Sequence, residues 1–298
     1  MTLSPIVVFT YNRPEHTRLT IEALLNNEFA SQSDLIVYSD GWKDEITKQS
    51  ILATRKYLHA ITGFKSLKVI ERNENFGLGN NIIDGVTTTL MSYDRIIVLE
   101  DDLITSPFFL KYMNEGLNEY EKEDDVISIH GYVYPMKKKL PDTFFIKGAD
   151  CLGWGTWKRG WNLFEKDGSI LLDKITKEKK HSEFDFNGSY PYSKTLEKQV
   201  GGITNSWAIR WYASAFINNK LTLYPRQSLI FHNGSDGSGT NCGISDEFKV
   251  TLSQEPLTVG NIDIVENKKA RKAFIHYFRY TRQLMKLKSH LKRILHIK

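Results

Sequence analysis

Along the first hundred residues, short apolar runs that end in polar residues alternate with stretches of helical spacing. "SPIVVFTYN" reads as a buried strand, and "RPEHTRLTIEALLNN" follows with Leu19, Ala23 and Leu24 at helical spacing. "DLIVYSDG" predicts a second strand, a helix through Ile51, Ala53 and Leu58 leads to a third, "LKVIERN", and "FGLGNNIIDGVTTTLM" gives the next helix before "RIIVLEDD". Nearly all-apolar strands alternating with helices specify an α/β fold with a mainly parallel sheet covered on both faces. Ligands then bind beyond the carboxyl ends of the strands.

After about residue 125 the alternation decays. "VISIHGYVYP" and "FFIKGA" predict strands of a mixed region, ahead of the aromatic stretch "CLGWGTWKRGW". Residues 167–200 are polar and weakly periodic, a helical or loop excursion. "NSWAIRWYASAFINN" predicts a helix, and "LTLYPRQSLIFHNGSDGSGTN" a strand opening into a loop rich in Gly and Ser. The sequence has no internal repeat and no linker rich enough in Pro or Gly to separate independent domains.

Charge changes this picture only at the end of the chain. Lys and Arg number 40 in all and 11 in residues 267–298, so the remaining 29 face all 35 acids and the body carries a net charge of −6. Nucleic acid is therefore not expected as a partner. The tail places Phe274, Tyr277, Phe278, Thr281, Leu284, Met285, Leu291, Ile294 and Leu295 at helical spacing, with Lys and Arg on the other face. It reads as a basic amphipathic helix on an anionic lipid surface, giving peripheral membrane contact through residues 268–298; packing on the body or on a partner is the alternative. Two cysteines, Cys151 and Cys242, cannot build a disulfide framework or a structural zinc site. With neither a signal-peptide pattern at the start nor a bilayer-spanning apolar run, the expected location is the cytoplasm, on the inner face of the cell membrane.

The chemistry gathers at "VLEDDLITSPFF", where an apolar strand ends in Glu100, Asp101 and Asp102. One acid would suffice to complement the dipole of a helix starting near Ser106-Pro107, which is the structural alternative. Three point to a divalent cation site: Mn2+ or Mg2+ prefers carboxylate oxygen and completes its shell with substrate phosphates. Asp102, last in the row, is the expected direct ligand. Asp101 then orients a ribose or a metal-bound water. The sequence has no G-x-x-x-x-G-K-[ST] loop, and "GLGNN" lacks the dinucleotide-binding spacing. A diphosphate must therefore be held by metal, Arg13 and a loop rather than by a helix N-terminus.

Taken together, "VVFTYNRP", "YSDGWKDE", "NENFGLGNN", "VLEDDLITSPFFLKYM", "CLGWGTWKRGW" and "NSWAIRW" resemble the nucleotide-sugar glycosyltransferases of the GT-A fold, over about residues 4–245. The likeness is to Golgi N-acetylglucosaminyltransferases and to bacterial, family 2-like sugar transferases of surface polysaccharides. It implies a Rossmann-like GT-A domain whose residues 1–125 bind the nucleotide sugar and whose residues 126–265 bind the acceptor, followed by the C-terminal helix at 266–298. It implies a metal-dependent transfer from a UDP donor to a glycan or lipid-linked oligosaccharide. A catalytically inactive sugar-nucleotide-binding subunit of an assembly complex is the alternative.

Carried over by position, the resemblance implies that Thr10 and Arg13 approach the donor, Asp40 accepts a hydrogen bond from its base or ribose, Asn75 lines the base pocket, and Glu100 and Asp101 contact the ribose side; a turn residue of "SDG" and a surface salt bridge are the alternatives for Asp40 and Arg13. Asp102 would hold Mn2+ (or Mg2+). His232, at the root of "FHNGSDGSGTN", is an additional metal ligand or else a structural histidine. In that loop Gly234, Gly237 and Gly239 give freedom, while Ser235, Ser238 and Thr240 offer hydroxyls to phosphate. Trp154 and Trp207 match segments bordering the acceptor and are expected as a sugar-stacking platform, whereas Trp157, Trp161 and Trp211 are expected in the core. The likeness breaks at Asn205, where inverting members carry an Asp as general base; an amide cannot take that proton. Another carboxylate serves, the reaction retains configuration, or catalysis is lost. Asp236 is the expected substitute base, with a turn residue as its alternative.

Overall fold

The structure is a computed structural model and describes residues 1–235, 237, 249–260 and 262–294. Its first half alternates as the pattern requires: β1 (Ile6–Thr10), α1 (Pro14–Leu25), β2 (Asp34–Ser39), α2 (Glu45–His59), β3 (Ser66–Glu71), α3 (Leu78–Ser92) and β4 (Arg95–Glu100). Then come β5 (Leu103–Thr105), α4 (Phe109–Glu119), β6 (Val126–His130), β7 (Thr143–Lys147), β8 (Trp154–Trp157) and α5 (Lys158–Trp161). The excursion at 167–200 is helical, as α6 (Gly168–Lys177), α7 (His181–Phe184) and α8 (Tyr192–Val200). The chain finishes with α9 (Trp207–Ile217), β9 (Leu221–Pro225), β10 (Ile230–His232) and α10 (Lys268–Ile294).

One eight-stranded sheet, ordered β3-β2-β1-β4-β8-β6-β9-β7, runs through both halves of the chain. β1 lies parallel to β2 and β4, β2 parallel to β3, and β6 parallel to β9, while β8 and β7 run against their neighbours. Alternation along each strand divides the core. Ile6, Val8, Ile97 and Leu99 face α1 and α4, packing with Ile21, Leu24, Leu110 and Met113. Val7, Phe9, Ile96 and Val98 face α3 and α9, with Ile82, Val86 and Trp211. Both faces are covered, which is why these strands carry no polar face.

Three local expectations change. α1 buries Thr17, Thr20, Ile21 and Leu24, so its inward face is rotated from the Leu19–Ala23 stripe. The strand expected at 221–232 is two strands. β9 joins the main sheet, whereas β10 pairs antiparallel with β5 in a separate ribbon that sets His232 opposite Leu103. The third change concerns α10: Ala270, Phe274, Tyr277, Phe278 and Thr281 are buried, packed with Phe144, Tyr212 and Tyr224. The apolar stripe read as facing lipid closes the body's own core over this part of the helix. Leu287, further along, is 56% exposed. Among the described residues no helix is long and apolar enough to cross a membrane.

Candidate active site

The parallel strands β1, β2, β3 and β4 deliver Thr10, Ser39, Glu71 and Glu100 to one edge of the sheet. Beyond Glu100 the chain turns through Asp101 and Asp102 into β5. The cation answering these acids is Arg13. Its Nη2 donates to Asp101 Oδ1 and, at 2.9 Å, to Asp102 Oδ2. Pro14 opens α1 immediately after it, and the Arg13 carbonyl accepts from Thr17 N at 3.0 Å, so its backbone is fixed at the helix entry. Tyr11 N and Thr20 Oγ1 complete the turn, donating to the Asp101 carboxylate and carbonyl at 3.4 and 2.8 Å.

The electrostatics follow from burial and crowding. Burial pushes Glu100 up to about 8, reinforced by the charges of Asp102 and Asp101. Asp101 is pushed up to about 6 by burial, with the Arg13 charge opposing. Burial works to raise Asp102 as well, but contact with His232 and Arg13 outweighs it and holds this carboxyl below its usual range. Arg13 is raised: burial alone would lower it, and the paired carboxylates prevail.

His232 Nε2 lies 3.5 Å from Asp102 Oδ2, the oxygen that Arg13 also holds. The β5–β10 ribbon makes this approach, and Asn233 N seals it by donating to the Asp102 carbonyl at 2.8 Å. A Cβ built on Gly234 would stand 2.2 Å from Asp102 Oδ2 and 3.0 Å from His232 Nε2, so glycine keeps the space between the two side chains open. One carboxylate oxygen and one imidazole nitrogen converging on an open cradle fit two donors of a Mn2+ or Mg2+ site. Among the described residues, no group of three or more His, Cys, Asp or Glu is arranged to hold a metal.

Asp40 and Asn75 meet on the same rim, but the chain itself fills Asp40. Its carboxylate accepts from the backbone N–H groups of Gly41, Phe76 and Gly77 at 2.9, 2.8 and 3.0 Å and from Asn75 Nδ2 at 3.2 Å. Four bonds occupy a carboxylate's ordinary accepting capacity. Asp40 thus fastens the 75–77 loop to the end of β2. Thr10 accepts from Asp40 N through its carbonyl at 3.0 Å, and its buried hydroxyl has no partner among the described residues.

The tryptophan platform is overturned. Trp154 and Trp207 are only 1% and 3% exposed, with ring centroids 5.5 Å apart, and Trp154 also packs on Trp161 and Trp211. The indoles fill the space between β8 and α9, leaving no face for a sugar. Asn205 sits at the start of α9 beside the start of α3: its Oδ1 accepts from Arg210 Nη2 at 2.9 Å and its Nδ2 donates to Asn80 Oδ1 at 3.3 Å. Asp236, Ser238 and Thr240 lie outside the described residues.

Two residues acquire a place that sequence patterns did not give them. Gly234, expected to give the loop freedom, is a close-approach position beside Asp102 and His232. Asp150, half-buried, lies between β7 and β8; it accepts from Cys151 N at 2.8 Å and from Tyr224 Oη at 3.4 Å. Leu152 N donates to Nε2 of His130, the last residue of β6, which brings this segment to the same sheet edge as the acids. Its only signal in the sequence is an acid just ahead of a strand that runs antiparallel to β4.

Among solved structures, the chain is similar to S. aureus TarS residues 1–349, with 12% identity, 78% of this chain and 60% of that one covered, and a TM-score of 0.44. For the same protein in complex with UDP-GlcNAc the values are 14%, 77%, 58% and 0.41. For the mannosyltransferase PcManGT from Pyrobaculum calidifontis, in complex with GDP-Man and Mn2+, they are 12%, 45%, 36% and 0.34. The chain thus spans less than two thirds of the length of each of these structures. No curated protein sequence matches it. The glycosyl transferase family 2 model matches residues 6–183, which take in β1 through α6, all but the last residue of α7, and every acid of the β4 turn. On that match, extending over more than half of its length, the chain belongs to glycosyl transferase family 2.

Proposed function

We propose that the chain transfers a sugar from a nucleoside-diphosphate donor, UDP in this reading, to a glycan or lipid-linked acceptor of a surface polysaccharide. The observation that carries it is the convergence of Arg13, Asp101, Asp102 and His232 at the carboxyl ends of the parallel strands. Family membership supports the reaction type. Asp102 Oδ2 and His232 Nε2 would hold Mn2+ or Mg2+, which when bound stabilises the charge of a departing diphosphate. Arg13 supplies a second positive charge to that diphosphate. Glu100 and Asp101 close the ribose side, and the loop fastened by Asp40 and Asn75 walls the base. The basic outer part of α10, where Leu284 and Leu287 remain exposed, supports a cytoplasmic enzyme resting on the inner membrane face.

The acceptor hydroxyl must lose a proton as the glycosidic bond forms, and Asn205 cannot take it. Asp236 is the proposed base, and Asp150 is a second carboxylate for the same task. UDP release from a panel of UDP-sugars, with and without Mn2+, tests the reading. Asp102→Ala should abolish Mn2+-dependent donor binding while the chain stays folded; equal binding in EDTA and in Mn2+ would sink the site assignment. Asp236→Asn should lower turnover at least roughly a hundredfold with donor affinity little changed, and Asp150→Asn should do so if it is the base instead. The engaged amide of Asn205 favours one other reading, a sugar-nucleotide-binding subunit without catalysis. A strong gain of turnover in Asn205→Asp, with Asp236→Asn and Asp150→Asn both neutral, would point to it.

A further inference from the structure

Arg13 and a metal ion have claims on the same oxygen. A single nitrogen, Nη2, donates to both Asp101 and Asp102, and on Asp102 it holds Oδ2, the oxygen facing His232. A metal ion on that oxygen and the guanidinium nitrogen beside it would compete, because like charges repel steeply over a few ångströms at a poorly solvated site. The other terminal nitrogen, Nη1, is buried and has no hydrogen-bond partner among the described residues. A guanidinium saturated by carboxylates would use its fork in two parallel bonds; here one side of the fork is left over. The backbone of Arg13 is pinned by Thr17, whose N and Oγ1 donate to its carbonyl at 3.0 and 2.9 Å. Any change in what the guanidinium holds must therefore be a rotation of its flexible stem.

We propose that Arg13 is a displaceable internal cation: it neutralises the acidic turn while no donor is bound, and yields Asp102 when metal and diphosphate arrive together. The inference rests on the metal reading given above. The diphosphate takes the guanidinium, both terminal nitrogens included, and the vacated oxygen becomes available to the metal. Metal alone then binds poorly because it must displace an ion pair. Diphosphate alone binds poorly because Arg13 is engaged. Together they bind with positive coupling, and by linkage each raises the other's affinity by the same factor. The acids are kept from mutual repulsion at every stage, which is why the turn can carry three of them.

Calorimetric titration of the full chain with MnCl2 alone, with UDP alone, and with MnCl2 at saturating UDP tests this directly. Arg13→Met should bind Mn2+ alone at least about tenfold more tightly than the parent, since one charge-assisted hydrogen bond no longer has to be displaced. In the same variant the coupling between Mn2+ and UDP should largely vanish. Arg13→Lys keeps the charge but lacks the planar fork, and should fall between the two. Asp102→Asn should lose Mn2+ binding in both backgrounds. An Arg13→Met chain that binds Mn2+ alone no better than the parent overturns the proposal. Should that variant fail to fold, the parent itself decides: independent binding of Mn2+ and UDP would overturn it equally. Absence of Mn2+ binding in every chain, with UDP present, refutes the metal site and this inference with it. Binding that needs Asp102 but ignores Arg13 refutes the inference alone.

Discussion

Replacing Gly234 by alanine adds one methyl group at the point where β10 passes the acidic turn. That carbon would lie 2.2 Å from Asp102 Oδ2, 2.9 Å from its Cγ and 3.0 Å from His232 Nε2. Ordinary non-bonded separations between heavy atoms are about 3.5–4.0 Å, so the carboxylate must retreat by more than about 1 Å. It has little room to do so: Arg13 holds the same oxygen at 2.9 Å, and Asn233 N, next to the substitution, holds the Asp102 carbonyl at 2.8 Å. Overpacking of this kind costs about 1–3 kcal/mol. Part is offset by the reduced freedom of the unfolded chain, about 0.4–1 kcal/mol for Gly to Ala. Because the strain falls on the oxygen and nitrogen that face the cradle, Mn2+-dependent UDP binding should weaken about 5- to 150-fold, the equilibrium equivalent of the full cost. Gly201→Ala is the control. Its Cβ would meet nothing nearer than 3.4 Å and its φ is −75°, so it should stay within about 0.5 kcal/mol of the parent. Calorimetry of UDP with Mn2+, beside thermal unfolding in EDTA, reads both quantities. A Gly234→Ala chain that binds and melts like the parent would show that the space between Asp102 and His232 is not used.

Metal-free chain should lose stability as pH rises from about 4.5 toward about 8: Glu100, raised to about 8, and Asp101, raised to about 6, hold protons more tightly folded than unfolded, so deprotonation favours the unfolded state. Denaturant unfolding in EDTA at about pH 5 and about pH 8.5 checks the sign, and a rise in stability would contradict it. Trp154→Ala should cost about 3–5 kcal/mol, because the indole is buried among three others; a stable variant defective only toward acceptor would restore the platform reading. Removing residues 268–298 should unfold or aggregate the chain by stripping Phe274, Tyr277 and Phe278 from the core, whereas removing 283–298 should leave it folded. Sedimentation of the shorter truncation with anionic vesicles then isolates the membrane contribution of the outer helix, and undiminished pelleting would refute that contribution.

The alternation of strand and helix from Ile6 to Glu100 was legible in the sequence because burial of β1, β2 and β4 on both faces imprints itself locally, as apolar runs with polar ends. The acidic turn was legible for the same reason: three charges after a buried strand must stand where the sheet opens. Periodicity could show that Trp154, Trp207 and the stripe of α10 were apolar, but not what covers them. α9 carries Trp207 onto Trp154 and covers both with Trp211, and the Phe144–Tyr224 pair receives the third. Nor could spacing announce that Arg13, 88 residues from Asp101, would be its counter-ion, or that His232 would be set beside Asp102 by the β5–β10 ladder. Local sequence determined which segments bury a face and where charge emerges. The pairing of charges and faces across the chain was decided only when the sheet, its ribbon and its covering helices closed, because electrostatic and apolar contacts depend on distance in space and not on separation along the chain.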